Sequence, residues 1–98
     1  MYAAVTTVPI RPDKAEEARH FAREVMLPFA RQQPGFLGCL ELFDPATGQT
    51  LSIMLYATEA DARGLDTGGE EYQGLVARAR AMVAGARVRA VYEVMLRE

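Results

Sequence analysis

Hydrophobic and polar residues alternate along four segments of the chain and recur at helical spacing along two others. The alternation predicts four strands, in chain order at 2–10, 36–43, 50–57 and 88–96. The helical spacing predicts two helices, with apolar stripes at Ala15, Ala18, Ala22, Val25 and Phe29 and at Tyr72, Leu75, Val76, Ala79, Met82 and Val83. The order β-α-β-β-α-β predicts an α+β, ferredoxin-like fold, with a four-stranded antiparallel sheet and helices on one face.

Capping and breaking residues mark where the helices begin and where they are interrupted. Asp13 predicts the N-cap of the first helix, and Pro28 predicts a kink or a tightened turn near its end. Thr58 and Asp61 resemble a capping box, which predicts that the next helix begins directly after Thr58. Glycines divide this second helical region into a short and a longer piece: Gly64, Gly68 and Gly69.

The composition is that of a small globular protein. Half of the 98 residues are hydrophobic and the formal net charge is −2, so we expect a single domain over residues 1–98 and no nucleic-acid partner. Cys39 is the single cysteine, which excludes an intrachain disulfide and favours a reducing, cytoplasmic location. No segment has the run of roughly 18 apolar residues of a membrane span, and the start MYAAVTTVPI lacks the pattern of a signal peptide.

Both faces of the predicted sheet carry apolar side chains. The third strand sets Leu51, Ile53 and Leu55 on one face and Ser52, Met54 and Tyr56 on the other. We expect the more aliphatic group to lie under the helices. The opposite face would still hold several apolar residues, namely Leu37, Cys39, Phe43, Met54, Tyr56, Val91 and Met95. We therefore predict that this face packs on its own copy in a two-fold homodimer; the alternative is a half-polar face with scattered apolar residues.

Three segments of the chain carry a resemblance to a known family: LPFARQQPGFLG, DPATG and LSIMLYATEAD. With the order and lengths of the surrounding elements, they resemble the antibiotic-biosynthesis-monooxygenase-type domains of the dimeric α/β-barrel superfamily over nearly the whole chain. The resemblance implies a homodimer with a small apolar pocket in each subunit, binding a small hydrophobic or aromatic molecule. Known relatives include oxygenases of aromatic polyketides that use neither metal nor flavin, and haem-degrading enzymes.

The resemblance also implies site residues on the third strand. A Trp of the family falls on Tyr56, and an Asn four residues earlier falls on Ser52. The chain contains neither Asn nor Trp. Ser52 would therefore offer a hydroxyl and Tyr56 a phenol in place of the two family residues.

Other candidate residues come from the apolar groups and the charges. Tyr56, Tyr72 and Tyr92 would orient a phenol or quinol if they converge; alternatively, each is a core or interface residue with a local hydrogen bond. Arg89 alternates with Val91 and is a candidate to meet an anionic group. His20 lies opposite the apolar stripe of its helix, which predicts a solvent-exposed side chain. One His and one Cys do not make a metal cluster, so neither a metal nor a cofactor is predicted.

Two functions remain open from the sequence. The first is a cofactor-independent monooxygenase, in which Tyr56 and Tyr72 position an aromatic ring and Ser52 or Arg89 supports developing negative charge. The second is a non-catalytic ligand-binding or accessory dimer. Haem degradation ranks third, and the sequence assigns no catalytic residue.

Overall fold

Four antiparallel strands form one sheet in the part of the chain that the computed structural model describes, residues 1–67 and 69–98. The strands are β1 Tyr2–Pro9, β2 Phe36–Phe43, β3 Gln49–Tyr56 and β4 Val88–Glu93. Their order in the sheet is β2-β3-β1-β4. This is the predicted ferredoxin-like arrangement, with the fourth strand ending three residues earlier than the sequence indicated.

Helices cover one face of this sheet. The α-helices are α1 Ala15–Phe21, α2 Leu27–Arg31, α3 Glu59–Arg63 and α4 Glu70–Ala79. Short 3-10 turns lie at Pro12–Lys14, Gly64–Thr67 and Arg80–Met82. The break after α3 therefore falls at Gly64, as predicted, whereas Gly68 lies outside the described residues.

The first helical region departs from regular α-helix at both ends. Asp13 does not cap α1, because Pro12 already starts a 3-10 turn and the cap position falls on Lys14. A π-helical segment, Ala22–Met26, joins α1 to α2 and ends two residues before Pro28. Proline lacks an N–H and crowds the carbonyl one turn earlier, and the wider π turn accommodates both effects. The predicted distortion near Pro28 is confirmed, and the predicted Asp13 cap is wrong.

Helix α3 begins where the capping pattern predicted. The backbone N–H of Asp61 donates a hydrogen bond to Thr58 Oγ1 at 3.1 Å. The helix has only five residues, and it carries the fully buried Ala62 onto the sheet. Because so short a helix has few bonds of its own, its cap should contribute clearly to stability.

We expect Thr58→Ala to lower the free energy of unfolding by about 1 kcal/mol, since it removes the acceptor for one N–H of the first turn. For a domain of this size the melting temperature should fall by roughly 4–8 °C. Thr58→Ser keeps the hydroxyl and serves as the control in thermal unfolding followed by circular dichroism. An equal loss in both variants would contradict a capping role for Thr58.

The pairing register places Ser52, Met54 and Tyr56 of β3 under the helices, rather than the more aliphatic group on the other face of the strand. We call the face that holds these three residues the mixed face of the sheet. Tyr56 packs against Ala4 of β1 and Ala62 of α3, and Ser52 and Met54 share its face of the strand. Leu51, Ile53 and Leu55 lie on the helix-free face. The assignment of faces from the sequence is therefore wrong. The physical reason is that, apart from α3, the α-helices are separated from the sheet by a space, and that space is lined by polar and apolar side chains together.

A β-bulge at Leu37 changes the alternation within β2. Phe36 pairs with Tyr56 and Gly38 with Leu55, so one extra residue stands between the two pairs. The bulge brings Phe36 onto the same face as Cys39, whereas simple alternation sets them on opposite faces. The ring of Phe36 then meets the ring of Tyr56 edge-on, with 6.2 Å between centroids.

The helix-free face is apolar across all four strands. The register aligns three rows, each written in the order of the strands in the sheet: Leu42, Leu51, Thr7 and Val88; Leu40, Ile53, Val5 and Ala90; Gly38, Leu55, Ala3 and Tyr92. None of these twelve positions carries a charge. Leu40, Val88 and Tyr92 are 55%, 61% and 58% exposed. A contiguous apolar surface of this kind is typical of a protein interface.

Candidate functional site

A cavity of about 850 Å³ separates α1, α2 and α4 from the sheet. Its floor is the mixed face of the sheet, and its walls come from α1, the π-helical segment, α2 and α4. Two apolar clusters flank it. One centres on Ala4, Tyr56 and Ala62, the other on Phe29, Tyr72 and Leu75, and the two clusters share no residue. The volume is within the range of small-molecule sites.

A row of polar side chains crosses the cavity floor. The register aligns Glu41 of β2, Ser52 of β3, Thr6 of β1 and Arg89 of β4, and all four line the cavity. Because neighbouring strands lie about 4.8 Å apart, the row spans roughly 14 Å from the Cα of Glu41 to that of Arg89. We call these four residues the polar row. It has a carboxylate at one end and a guanidinium at the other.

Glu41 forms the acidic end of the polar row, and its side chain lies at the solvent-exposed edge of the cavity. Ser52 Oγ donates a hydrogen bond of 2.7 Å to Glu41 Oε1, which orients the carboxylate. The surrounding protein raises the pKa of the Glu41 carboxyl above its usual value, and the hydrogen bond from Ser52 opposes this shift in part. Glu41 is the single carboxylate among the described residues that line the cavity. A carboxylate with a raised pKa beside a cavity has the properties of a general base.

Arg89 forms the basic end of the polar row. Its Nη2 donates a hydrogen bond of 2.8 Å to the carbonyl oxygen of Ala62, which ties β4 to α3. Burial lowers the pKa of Arg89, and the nearby Tyr56 opposes this shift. Because a guanidinium group remains protonated far above neutral pH, the side chain keeps its positive charge at neutral pH. Arg89 therefore provides a fixed cation on the cavity floor.

Two buried hydroxyl groups in the cavity lining have no hydrogen-bond partner among the described residues. They are Tyr56 Oη and Thr50 Oγ1, and Tyr56 is only 1% exposed. Burial raises the pKa of the Tyr56 phenol, and the charge of Arg89 opposes that shift. A buried hydroxyl without a partner costs about 1–3 kcal/mol.

Tyr72 forms an aromatic wall of the cavity, on α4. Arg87 Nη2 donates a hydrogen bond to Tyr72 Oη, and the guanidinium lies 5.8 Å from the centre of the Tyr72 ring. The ring also stacks on Phe29, with 6.0 Å between centroids. Tyr72 is thus held in place by its neighbours and presents a rigid surface to a ligand.

The structure brings four of the five predicted site residues to this one cavity: Ser52, Tyr56, Tyr72 and Arg89. Tyr92 is the exception. It pairs with Ala3 on the helix-free face and is 58% exposed, so the expectation that it shares the pocket is corrected. The sequence reasoning did not select Glu41, although the one charge in an otherwise apolar strand was a usable signal. His20 is exposed on α1, as expected.

The described residues, 1–67 and 69–98, contain no group of three or more His, Cys, Asp or Glu side chains that could hold a metal ion. Within the same residues, every helix is too short or too polar to cross a membrane. The polar side chains that line the cavity carry hydroxyl, carboxylate and guanidinium groups, together with the amide of Gln73 and the thiol of Cys39. These groups can bind an aromatic molecule, accept a proton and stabilise an anion.

No family model and no curated protein matches the sequence. Solved structures match the fold. An antibiotic biosynthesis monooxygenase is 18% identical, with a TM-score of 0.76 over 98% of this chain and 100% of its own. SnoaB, a cofactor-independent oxygenase from Streptomyces nogalater, is 18% identical, with a TM-score of 0.76 over 98% and 94%.

A third match carries a bound molecule. The ActVA-Orf6 monooxygenase of Streptomyces coelicolor, in complex with the ligand nanaomycin D, is 16% identical, with a TM-score of 0.71 over 99% of this chain and 92% of its own. Likeness at such low identity establishes the architecture and leaves the activity to be argued from the site. The chain has the fold of the antibiotic biosynthesis monooxygenase domain proteins.

Proposed function

We propose that the protein binds a small aromatic molecule in the cavity and oxygenates it without a cofactor, as a homodimer. The observation that carries the proposal is the polar row across an otherwise largely apolar cavity. Such a cavity buries an aromatic ring, and a few placed polar groups fix its orientation. Two proteins of the same fold support the chemistry, one described as a cofactor-independent oxygenase and one as a monooxygenase with a bound ligand.

In the proposed reaction, Tyr56 and Tyr72 position the ring, and Arg89 stabilises the negative charge that appears when the substrate loses a proton. The resulting anion is electron-rich and reacts with O₂. One oxygen atom stays on the activated carbon and the other leaves as water. With anthrone the balance is anthrone plus O₂ giving anthraquinone plus water.

The proposed dimer uses the helix-free face of the sheet. Its three apolar rows cover roughly 20 by 20 Å, from the strand spacing and the rise per residue. Beyond the end of β4, Met95 and Leu96 add apolar surface and are 97% and 87% exposed. Standard stable interfaces bury about 800 Å² on each partner, which this surface together with the C-terminal residues approaches. This interface lies on the opposite face from the one expected from the sequence.

Thermal unfolding and oxygen uptake together test the proposed activity. With anthrone or 1,4-dihydroxynaphthalene in excess, we expect the melting temperature to rise by several degrees, because ligand binds only the folded protein. We also expect oxygen consumption above the rates of buffer and of heat-denatured protein. The absence of both effects with both compounds would contradict the proposal.

The second candidate function is a non-catalytic ligand-binding dimer. One observation favours it: Tyr56 and Ser52 stand where the resemblance sets a Trp and an Asn, and the chain contains neither of those residues. The same experiment separates the two functions. A raised melting temperature without oxygen uptake would identify a binding protein.

A further inference from the structure

We propose that Glu41 is the catalytic base of this cavity, and that the substrates are aromatic molecules with an ionisable hydroxyl group. This inference rests on the proposed function and names the proton acceptor that it needs. It is carried by the position of Glu41 at the acidic end of the polar row, by its hydrogen bond from Ser52, and by the cationic Arg89 at the other end.

Glu41 is the side chain at the cavity best suited to accept a proton near neutral pH. The described lining residues include no histidine and no second carboxylate. Cys39 and Tyr56 also line the cavity, but burial raises the pKa of each, so both hold their protons more firmly than usual. A carboxylate is already ionised at neutral pH, so it can accept a proton without first losing one.

The hydrogen bond from Ser52 prepares Glu41 for this role. Ser52 Oγ donates its hydrogen bond of 2.7 Å to one oxygen of the carboxylate, Oε1. A carboxylate oxygen has two lone pairs, and the carboxylate has two oxygens, so the group can still accept from a ligand. Because Ser52 lies on the neighbouring strand, it holds the carboxylate at the cavity floor.

The two ends of the polar row define the ligand. A substrate O–H directed at Glu41 loses its proton: the O–H bond breaks, its electron pair stays on the oxygen, and the proton bonds to a carboxylate oxygen. Glu41 becomes a neutral acid and the substrate becomes a phenolate. Its negative charge spreads over the ring system toward Arg89, which stabilises it. The total charge of the site is unchanged.

The protonation of Glu41 gives this mechanism a defined pH dependence. The groups around Glu41 are Cys39 on the same strand and Ser52 on β3, while Arg19 and Arg23 of the overlying helical region line the same cavity. Partial desolvation by the surrounding protein raises the pKa of Glu41, although its side chain is solvent-exposed. Because only the ionised carboxylate accepts a proton, the rate should fall as the pH falls through this raised pKa, at a higher pH than for an ordinary glutamate.

Glu41→Gln tests the proposal, because it keeps the shape and the acceptor for Ser52 but removes the base. With 1,4-dihydroxynaphthalene, which carries such a hydroxyl, we expect kcat for oxygen uptake to fall by about 10²–10⁴-fold and the acid limb of the pH profile to disappear. Ligand-induced stabilisation should persist. Glu41→Asp should retain part of the rate. Glu93→Gln removes a strand carboxylate that is absent from the cavity lining, and it should leave the rate unchanged.

The outcomes separate the two proposals. If Glu41→Gln turns over 1,4-dihydroxynaphthalene within threefold of the wild type, with the same acid limb, Glu41 is not the base and the proposed function stands. If the wild type neither binds nor turns over the compounds, the proposed function falls and this inference falls with it.

A spectroscopic measurement decides the remaining case, in which the wild type binds without turnover. Juglone, a hydroxynaphthoquinone, changes its visible absorption on ionisation. Because an ionised carboxylate beside the hydroxyl opposes a second negative charge, bound juglone should ionise at higher pH in the wild type than in Glu41→Gln. Identical ionisation in the two proteins would overturn the role of Glu41.

Discussion

Replacing Ile53 with Glu is expected to convert the proposed dimer into a monomer at micromolar concentration. Ile53 lies in the middle apolar row of the helix-free face, between Leu40 and Val5. A two-fold interface contains every substitution twice, so two like charges would enter one apolar contact. Leaving charges unpaired in such a contact costs several kcal/mol, and about 4 kcal/mol corresponds to a 10³-fold weaker association.

Sedimentation or light scattering over a range of concentrations measures this effect. Ala77→Glu is the matched control, since it adds the same charge at an exposed position of α4. It should leave the dimer intact. Circular dichroism should show the same secondary structure in both variants. A wild-type protein that is monomeric at these concentrations, or an Ile53→Glu variant that remains dimeric, would contradict the proposed interface.

Gly48→Ala is expected to destabilise the folded protein by about 3 kcal/mol. Gly48 has φ of +81°, a left-handed conformation that costs an L-residue with a Cβ roughly 1–2 kcal/mol. An added Cβ would also lie 2.7 Å from the carbonyl oxygen of Ile10. That contact is hard to relieve, because the N–H of Ile10 donates to the carbonyl oxygen of Gly48 at 2.8 Å and fixes the two segments together. Overpacking of this kind adds about 1–3 kcal/mol.

Gly74→Ala provides a control with the opposite sign. Gly74 lies inside α4, and an added Cβ there meets nothing within 4 Å. Alanine is the better helix former by roughly 0.5–1 kcal/mol, so this variant should be more stable than the wild type. Urea unfolding of both variants gives the two free energies. A Gly48→Ala variant as stable as the wild type would contradict the strain inferred at this turn.

The order of the elements could be predicted from the sequence because its signals are local. Thr58 and Asp61 lie three residues apart and fix the start of α3 through one hydrogen bond. Pro28 acts on the turn directly before it. Alternation over eight residues is enough to identify β3 as a strand.

The choice of face could not be made in the same way. Alternation separates Ile53 from Ser52, but it does not say which of them faces the helices. The more aliphatic of the two groups of β3 side chains would face the helices if the helices packed directly on the sheet. A cavity lies between them instead, and the less aliphatic group lines it. The bulge at Leu37 adds a second shift that no local pattern in β2 reveals.

The part of the candidate site that lies on one strand could be predicted from the sequence. Ser52 and Tyr56 were found because they lie four residues apart on one strand. The partnership of Glu41 and Ser52 joins neighbouring strands, so it depends on a register that the sequence does not specify. Tyr92 was misplaced for the same reason, since only the pairing with Ala3 shows which side of the sheet it occupies.

The two separate apolar clusters have a consequence for the lifetime of the protein. Without an occupant, α2 and α4 bury one small group of side chains that includes Phe29, and the sheet and α3 bury another that includes Tyr56. A bound ligand would contact both clusters. At a free ligand concentration of 100 times its dissociation constant, it would add about 2.7 kcal/mol to the free energy of unfolding. Resistance to proteolysis would then rise with the concentration of this ligand, so the lifetime of the protein would be longest when the ligand is abundant.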